Sequence, residues 1–154
     1  MSEEIIKVGS QAPDFVLKNQ KGEEIKLSDY RGKKIILSFH PLAWTGPCQT
    51  QMELLEKNKL AFEEHNAVAF GISVDSVYCK KAWADEIGIE ETDLLSDFWP
   101  HGEVAEKFGV FRKEEGFAER SNIIIDEEGR VKFVKVYPTS DVPDFSEILE
   151  ELKD

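Results

Sequence analysis

Lys34-Ile35-Ile36-Leu37-Ser38-Phe39-His40-Pro41-Leu42-Ala43-Trp44-Thr45-Gly46-Pro47-Cys48 starts as a run of branched apolar residues and ends in a loop punctuated by proline and glycine. Residues 34–39 have the composition of a strand buried on both faces. Beyond the loop, Met52, Leu55 and Phe62 recur at helical spacing, and no proline or glycine intervenes, so a helix is expected over residues 48–65. A buried strand feeding a helix through a short loop is a βα unit, and reactive groups collect at that carboxyl end of a sheet. Cys48 falls in the first turn of the helix. Unpaired N–H groups and a partial positive charge there favour a thiolate over a thiol. The opposing reading is a buried cysteine packing as a small hydrophobe, but its place in a first turn beside a loop favours the reactive thiol.

Outward from this unit, residues 15–27 read as a hairpin turning at Lys21-Gly22. Residues 67–74 form a second buried strand, and residues 78–87 a helix stopped by Gly88. A short helix over 101–108 precedes Gly109, and strands over 121–126 and 131–137 flank the turn Glu127-Glu128-Gly129-Arg130. Phe145, Ile148, Leu149 and Leu152 fall at i, i+3, i+4 and i+7, one apolar helical stripe. The order is strand–helix–strand–helix, an insertion, then strand–strand–helix. A right-handed crossover makes the first two strands parallel, and the later hairpin adds an antiparallel pair. The expected fold is α/β and thioredoxin-like, a mixed central sheet flanked by helices, with an N-terminal β-hairpin extension. With no linker, repeat or low-complexity stretch, residues 1–154 read as a single domain.

Composition excludes several partners. The chain has 154 residues, with 31 Asp plus Glu against 19 Lys plus Arg, a formal charge of −12. Such a chain repels phosphate backbones and anionic headgroups, so neither nucleic acid nor membrane is expected as a partner. The acidic Met1-Ser2-Glu3-Glu4 start and the lack of an apolar h-region point to the cytoplasm. Two cysteines make neither a disulfide framework nor a zinc site. His40 and His101 have no companion at metal spacing, and no glycine-rich phosphate loop is present, so no metal and no cofactor are expected. Trp83, Phe98 and Trp99 read as core or subunit-contact aromatics.

In Trp44-Thr45-Gly46-Pro47-Cys48 the segment resembles a thioredoxin active site, with Thr45 where the attacking cysteine of C-x-x-C would stand. A hydroxyl cannot form a disulfide, so dithiol exchange between these positions is impossible. It can donate a hydrogen bond to the thiolate or to an oxygen beside it. Thioredoxin-like proteins also carry a proline before the next strand, where this chain has Gly116-Phe117-Ala118-Glu119-Arg120. Pro41, Thr45 and Cys48 match the P-x-x-x-T-x-x-C signature of the peroxiredoxins of the AhpC/TSA family, and Arg120 falls where that family has its active-site arginine. Ser73-Val74-Asp75-Ser76, Ala82-Trp83-Ala84, Leu95 through Gly102 and Gly109-Val110-Phe111 look most similar to the AhpE-type subgroup, over nearly the whole chain.

The resemblance implies a cytoplasmic thiol-dependent peroxidase that reduces hydrogen peroxide and organic hydroperoxides through a Cys48 sulfenic acid. It also implies a homodimer and an external thiol or redox-protein reductant. Cys48 would attack the terminal peroxide oxygen. Arg120 would hold the peroxide and favour the thiolate, Thr45 would donate to incoming oxygens, and Pro41 would shield the sulfur from water. For Arg120 alone the competing reading is an ion pair with Glu119 or Glu115. Gln51 stands three residues after Cys48, where the family commonly has Glu; it can still accept from Arg120 but brings no charge. Trp44 replaces the more usual Phe. Cys79 is the candidate resolving thiol, but from the first turn of the second helix it could meet Cys48 only after local unwinding, which favours a packing or interface residue and a one-cysteine enzyme. The rival functions are a thioredoxin-like disulfide oxidoreductase or electron carrier, and a non-enzymatic holdase.

Overall fold

The computed structural model describes residues 4–153. Its centre is β3 (Lys34–Phe39), buried at every position and paired in parallel with β4 (Ala67–Ser73) and antiparallel with β8 (Arg120–Ile125). β9 (Val131–Tyr137) closes one side against β8. On the other side β4 pairs in parallel with β5 (Asp93–Ser96). The N-terminal hairpin, β1 (Val16–Lys18) with β2 (Glu24–Lys26), joins the same sheet where Lys18 meets Ser96. The seven strands lie in the order β2-β1-β5-β4-β3-β8-β9. The mixed sheet and the hairpin extension agree with the sequence.

The period-two alternation of the central strands divides the core into two layers. Ile35, Leu37 and Phe39 face one cluster with Phe70, Ile72, Phe108 and Ile123. Ile36 and Ile124 face the other, where Met52, Leu55, Trp83 and Ile148 pack around Cys48. Each such side chain, fully buried, contributes about 1.5–3 kcal/mol. The second layer is built from α1 (Gly46–Lys57), α2 (Lys59–Glu64), α3 (Val77–Ile87) and α5 (Phe145–Leu152). α1 lies close on the sheet because Gly71 has no Cβ: one built there would overlap the Met52 sulfur. The small α4 (Glu103–Lys107) supplies Val104 and Ala105 to the opposite layer.

Three expectations are corrected. The helix expected over residues 48–65 is two helices, because Asn58 leaves helical geometry and its Nδ2 donates to the Leu54 carbonyl at 2.8 Å, competing with the backbone. The stretch taken as an insertion contains β5, four residues too short to show a period. It also contains β6 (Phe111–Arg112), which pairs with β7 (Phe117–Ala118) in a separate two-stranded sheet. The short helix spans five residues, not eight. Gly88 ends α3 as expected, at φ 78°, a left-handed conformation that glycine adopts without a Cβ clash.

Candidate active site

β3 delivers its chain end into the loop 40–45, and α1 starts at Gly46 with Pro47 in its first turn. The first i→i−4 bond of this helix runs from Gln49 N to the Thr45 carbonyl at 2.9 Å, so the Cys48 N–H belongs to the turn that has no intrahelical partner. The Cys48 side chain is wholly buried. From the start of β8, 72 residues on in sequence but on the strand paired with β3, Arg120 reaches it: Nη1 lies 3.4 Å from Sγ.

Arg120 is itself 2 % exposed. The same Nη1 donates to Gln51 Oε1 at 2.6 Å, while Nε and Nη2 donate to the Thr139 carbonyl at 3.1 and 2.7 Å. No carboxylate is among its hydrogen-bond partners in the described residues. Glu115 and Glu119, the competing partners suggested by sequence, both pair with Arg112 instead. A buried cation answered only by neutral acceptors leaves Cys48 as the bonded group able to supply a compensating negative charge. Gln51 is fixed in turn: its Nε2 donates to Ser38 Oγ at 2.7 Å and to the Phe39 carbonyl at 3.1 Å. Ser38 donates onward to Asn122 Oδ1 at 2.7 Å. Ser38 and Asn122 face each other in the β3–β8 register, so this chain locks helix to sheet behind the thiol.

The loop is pinned from β4. Asp75 Oδ2 accepts from the Ala43 N–H at 2.8 Å and from the Ser73 hydroxyl at 2.6 Å. Pro41 is buried, as a shield against water requires. Trp44 holds a left-handed φ of 72°, which costs a bulky residue energy and is found where a loop is over-determined by its surroundings. Thr45 sits at the exposed mouth, with Oγ1 donating to the Leu42 carbonyl at 3.0 Å and no hydrogen bond to Cys48. Cys79 lies in the first turn of α3, its N–H donating to Ser76 Oγ at 3.2 Å and its Sγ 3.8 Å from Asp75 Oδ1. Burial first, and then the charge of Asp75, push the Cys79 thiol above its ordinary range, against a smaller opposing pull from the Trp44 side chain.

Cys48 and Arg120 therefore lie in hydrogen-bond contact, with Pro41 buried in the loop that precedes the helix, Thr45 exposed beside it, and Cys79 bonded to Asp75 instead of Cys48. Sequence reasoning missed Ser38, Asn122, Asp75 and the Thr139 carbonyl. Ser38 carried a signal, a polar residue interrupting the apolar run of β3, whereas Asn122 follows Arg120 and Ser121 in the polar first half of β8 and did not stand out. Thr139 acts through its backbone and carried none.

A model of the AhpC/TSA family matches residues 8–134. Alkyl hydroperoxide reductase E of Mycobacterium tuberculosis is 38% identical over 141 residues, which span 91% of this chain and 92% of the relative. Peroxiredoxin-1 of Gallus gallus is 34% identical over 139 residues, 84% of this chain and 69% of the relative. Among solved structures, the reduced 2-Cys peroxiredoxin of Plasmodium vivax superposes with a TM-score of 0.88 at 28% identity, covering 96% of this chain and 80% of that one. With Thr45 in place of a second cysteine, the class these features define is the thiol-dependent peroxidases, not the disulfide oxidoreductases. The chain belongs to the AhpC/TSA family.

Proposed function

We propose that this peroxidase reduces hydrogen peroxide and organic hydroperoxides at Cys48, in the cytoplasm, and that an external thiol or thioredoxin-type protein restores the sulfur. The observation that carries this reading is Arg120 Nη1 at 3.4 Å from a buried Sγ, with no carboxylate among its hydrogen-bond partners in the described residues. The Cys48 thiolate attacks the terminal oxygen, a sulfur–oxygen bond forms as the O–O bond breaks, and the leaving oxygen departs as water or alcohol after taking a proton. Arg120, already a donor to the sulfur, would also donate to the leaving oxygen as charge moves onto it, which stabilises the transition state more than the ground state. Because the sulfur has no exposed surface, the hydroperoxide reaches it when the loop carrying Pro41 to Thr45 yields. Thr45, at the mouth, is then placed to exchange the Leu42 carbonyl for a peroxide oxygen.

Burial and then the charge of Asp75 disfavour the Cys79 thiolate, and an attacking thiol must be a thiolate. This supports a one-cysteine cycle. Mass spectrometry after one equivalent of hydrogen peroxide is expected to find one added oxygen on Cys48. A Cys48–Cys79 bridge would replace this cycle with an intramolecular one, and an unmodified Cys48 would remove the proposal altogether.

The homodimer is proposed on the aromatic surface beside the loop. Tyr78 and Trp99 are 85% and 80% exposed, and they share two adjoining hollows with Val77 and Phe98. Monomers rarely leave so much contiguous aromatic surface in water. Sedimentation equilibrium should show a dimer for the native chain and a monomer for Tyr78→Glu/Trp99→Glu; a native monomer at micromolar concentration would refute the assembly.

A further inference from the structure

His40 is the last residue before Pro41, and Lys80 lies one turn into α3. Both side chains are wholly buried. Lys80 Nζ is 2.8 Å from His40 Nε2, and His40 Nδ1 is 3.4 Å from the Ser38 carbonyl. With Nδ1–H turned to that carbonyl, Nε2 offers its lone pair and Lys80 is the donor. The Trp83 ring covers both, its centroid 5.6 Å from Nζ and 5.5 Å from the imidazole. Trp83 Nε1 is itself buried with no hydrogen-bond partner among the described residues. In sequence Lys80 shares a helical stripe with Trp83 and Ala84, which the fold places in the same layer as Cys48.

A lysine is costly to bury, and its presence among apolar side chains calls for a compensating charge. The groups whose charges face the pair are Asp75 from the β4–α3 turn, Cys48 from α1, Cys79 from α3 and, toward His40, Arg120 from β8. Burial brings Lys80 down to about 7, against the pull of Asp75, Cys48 and Cys79 in that order. Burial, and then the Lys80 charge, hold His40 well below its ordinary range, so the imidazole stays neutral and Lys80 is the member that titrates.

We propose that Lys80 is the proton partner of Cys48, keeping its ammonium form while the sulfur is a thiolate and releasing that proton when the sulfur becomes an uncharged sulfenic acid. The inference rests on Cys48 as the nucleophile. In the balanced step, thiolate, ammonium and hydroperoxide become sulfenic acid, neutral amine and alcohol or water. The sulfur lone pair makes the S–O bond, the O–O pair leaves with the departing oxygen, and the proton that oxygen acquires is matched by the one Lys80 gives up. The site thus changes redox state without changing its net buried charge. Lys80 is a positioning residue: it acts through Cys48, and nothing in the geometry requires it to touch the peroxide.

The test is proton uptake in a single turnover. Reduced protein in weakly buffered solution near pH 7 is mixed with one equivalent of hydrogen peroxide and followed with an indicator dye. The same sample is then analysed by mass for oxygen on Cys48. The native chain is expected to take up clearly less than one proton per sulfur oxidised, and Lys80→Met to take up close to one. Lys80→Arg, permanently charged and unable to give up a proton, should also take up close to one. Lys80→Gln serves if the Met variant does not fold. Equal uptake in all folded variants, with Cys48 oxidised, overturns the role of Lys80 alone. Oxygen absent from Cys48 overturns the underlying reading.

Discussion

Arg120→Ala is expected to slow peroxide consumption by about 10²–10³-fold, the loss typical when a buried donor to developing negative charge is removed. The variant loses the donor at 3.4 Å from Cys48 Sγ and, with it, the only cation hydrogen-bonded to the thiol among the described residues. It also strands Gln51 Oε1, whose bond to Arg120 is 2.6 Å long, at a cost of about 1–3 kcal/mol for an unsatisfied buried acceptor. Stability and chemistry are separable with Arg120→Lys. A lysine restores the charge but cannot hold Cys48, Gln51 and the Thr139 carbonyl at once, so its stability should recover more than its rate. Stopped-flow consumption of hydrogen peroxide measures the rate and thermal unfolding the fold. A rate unchanged in folded Arg120→Ala would end the proposed role of this residue.

Cys48→Ser should abolish peroxide reduction while leaving the structure nearly intact. Serine has almost the volume of cysteine, and its hydroxyl can accept the Arg120 N–H that the sulfur now accepts, so the buried donor is not left alone. Its hydroxyl stays protonated at neutral pH and supplies no nucleophile. Loss of all thiol-dependent peroxidase activity with an unfolding midpoint within a few degrees of the native chain is the expected pair of results. Retention of full cellular protection by this variant would favour a holdase role and place the peroxide chemistry elsewhere.

Much of this site is legible in the linear chain because its parts obey local rules. The loop after β3 shows its proline and glycine, α1 shows its apolar spacing, and Cys48 sits where a helix start would place it. Asn58 shows where such rules stop: the spacing of Leu55 and Phe62 continues across it, yet its side chain bonds back to Leu54 and splits the helix. β5 has four residues and declares itself only by pairing with β4 and β1.

The sequence by itself determined the buried central strands, the helix start at Cys48 and the exclusion of dithiol exchange by Thr45, which follow from composition, spacing and what a side chain can do chemically. The association of Cys48 with the distant Arg120 came from the resemblance to the AhpC/TSA family. Only the tertiary structure decided that Arg120 turns inward and Arg112 takes the two glutamates. It alone placed Gln51, Ser38 and Asn122 in one hydrogen-bonded line and set a buried lysine against His40. The physical reason is that a charge is governed by its surroundings: burial and neighbouring dipoles decide whether a cation is an exposed ornament or the counterion of a thiolate, and those surroundings come from residues up to 84 positions apart.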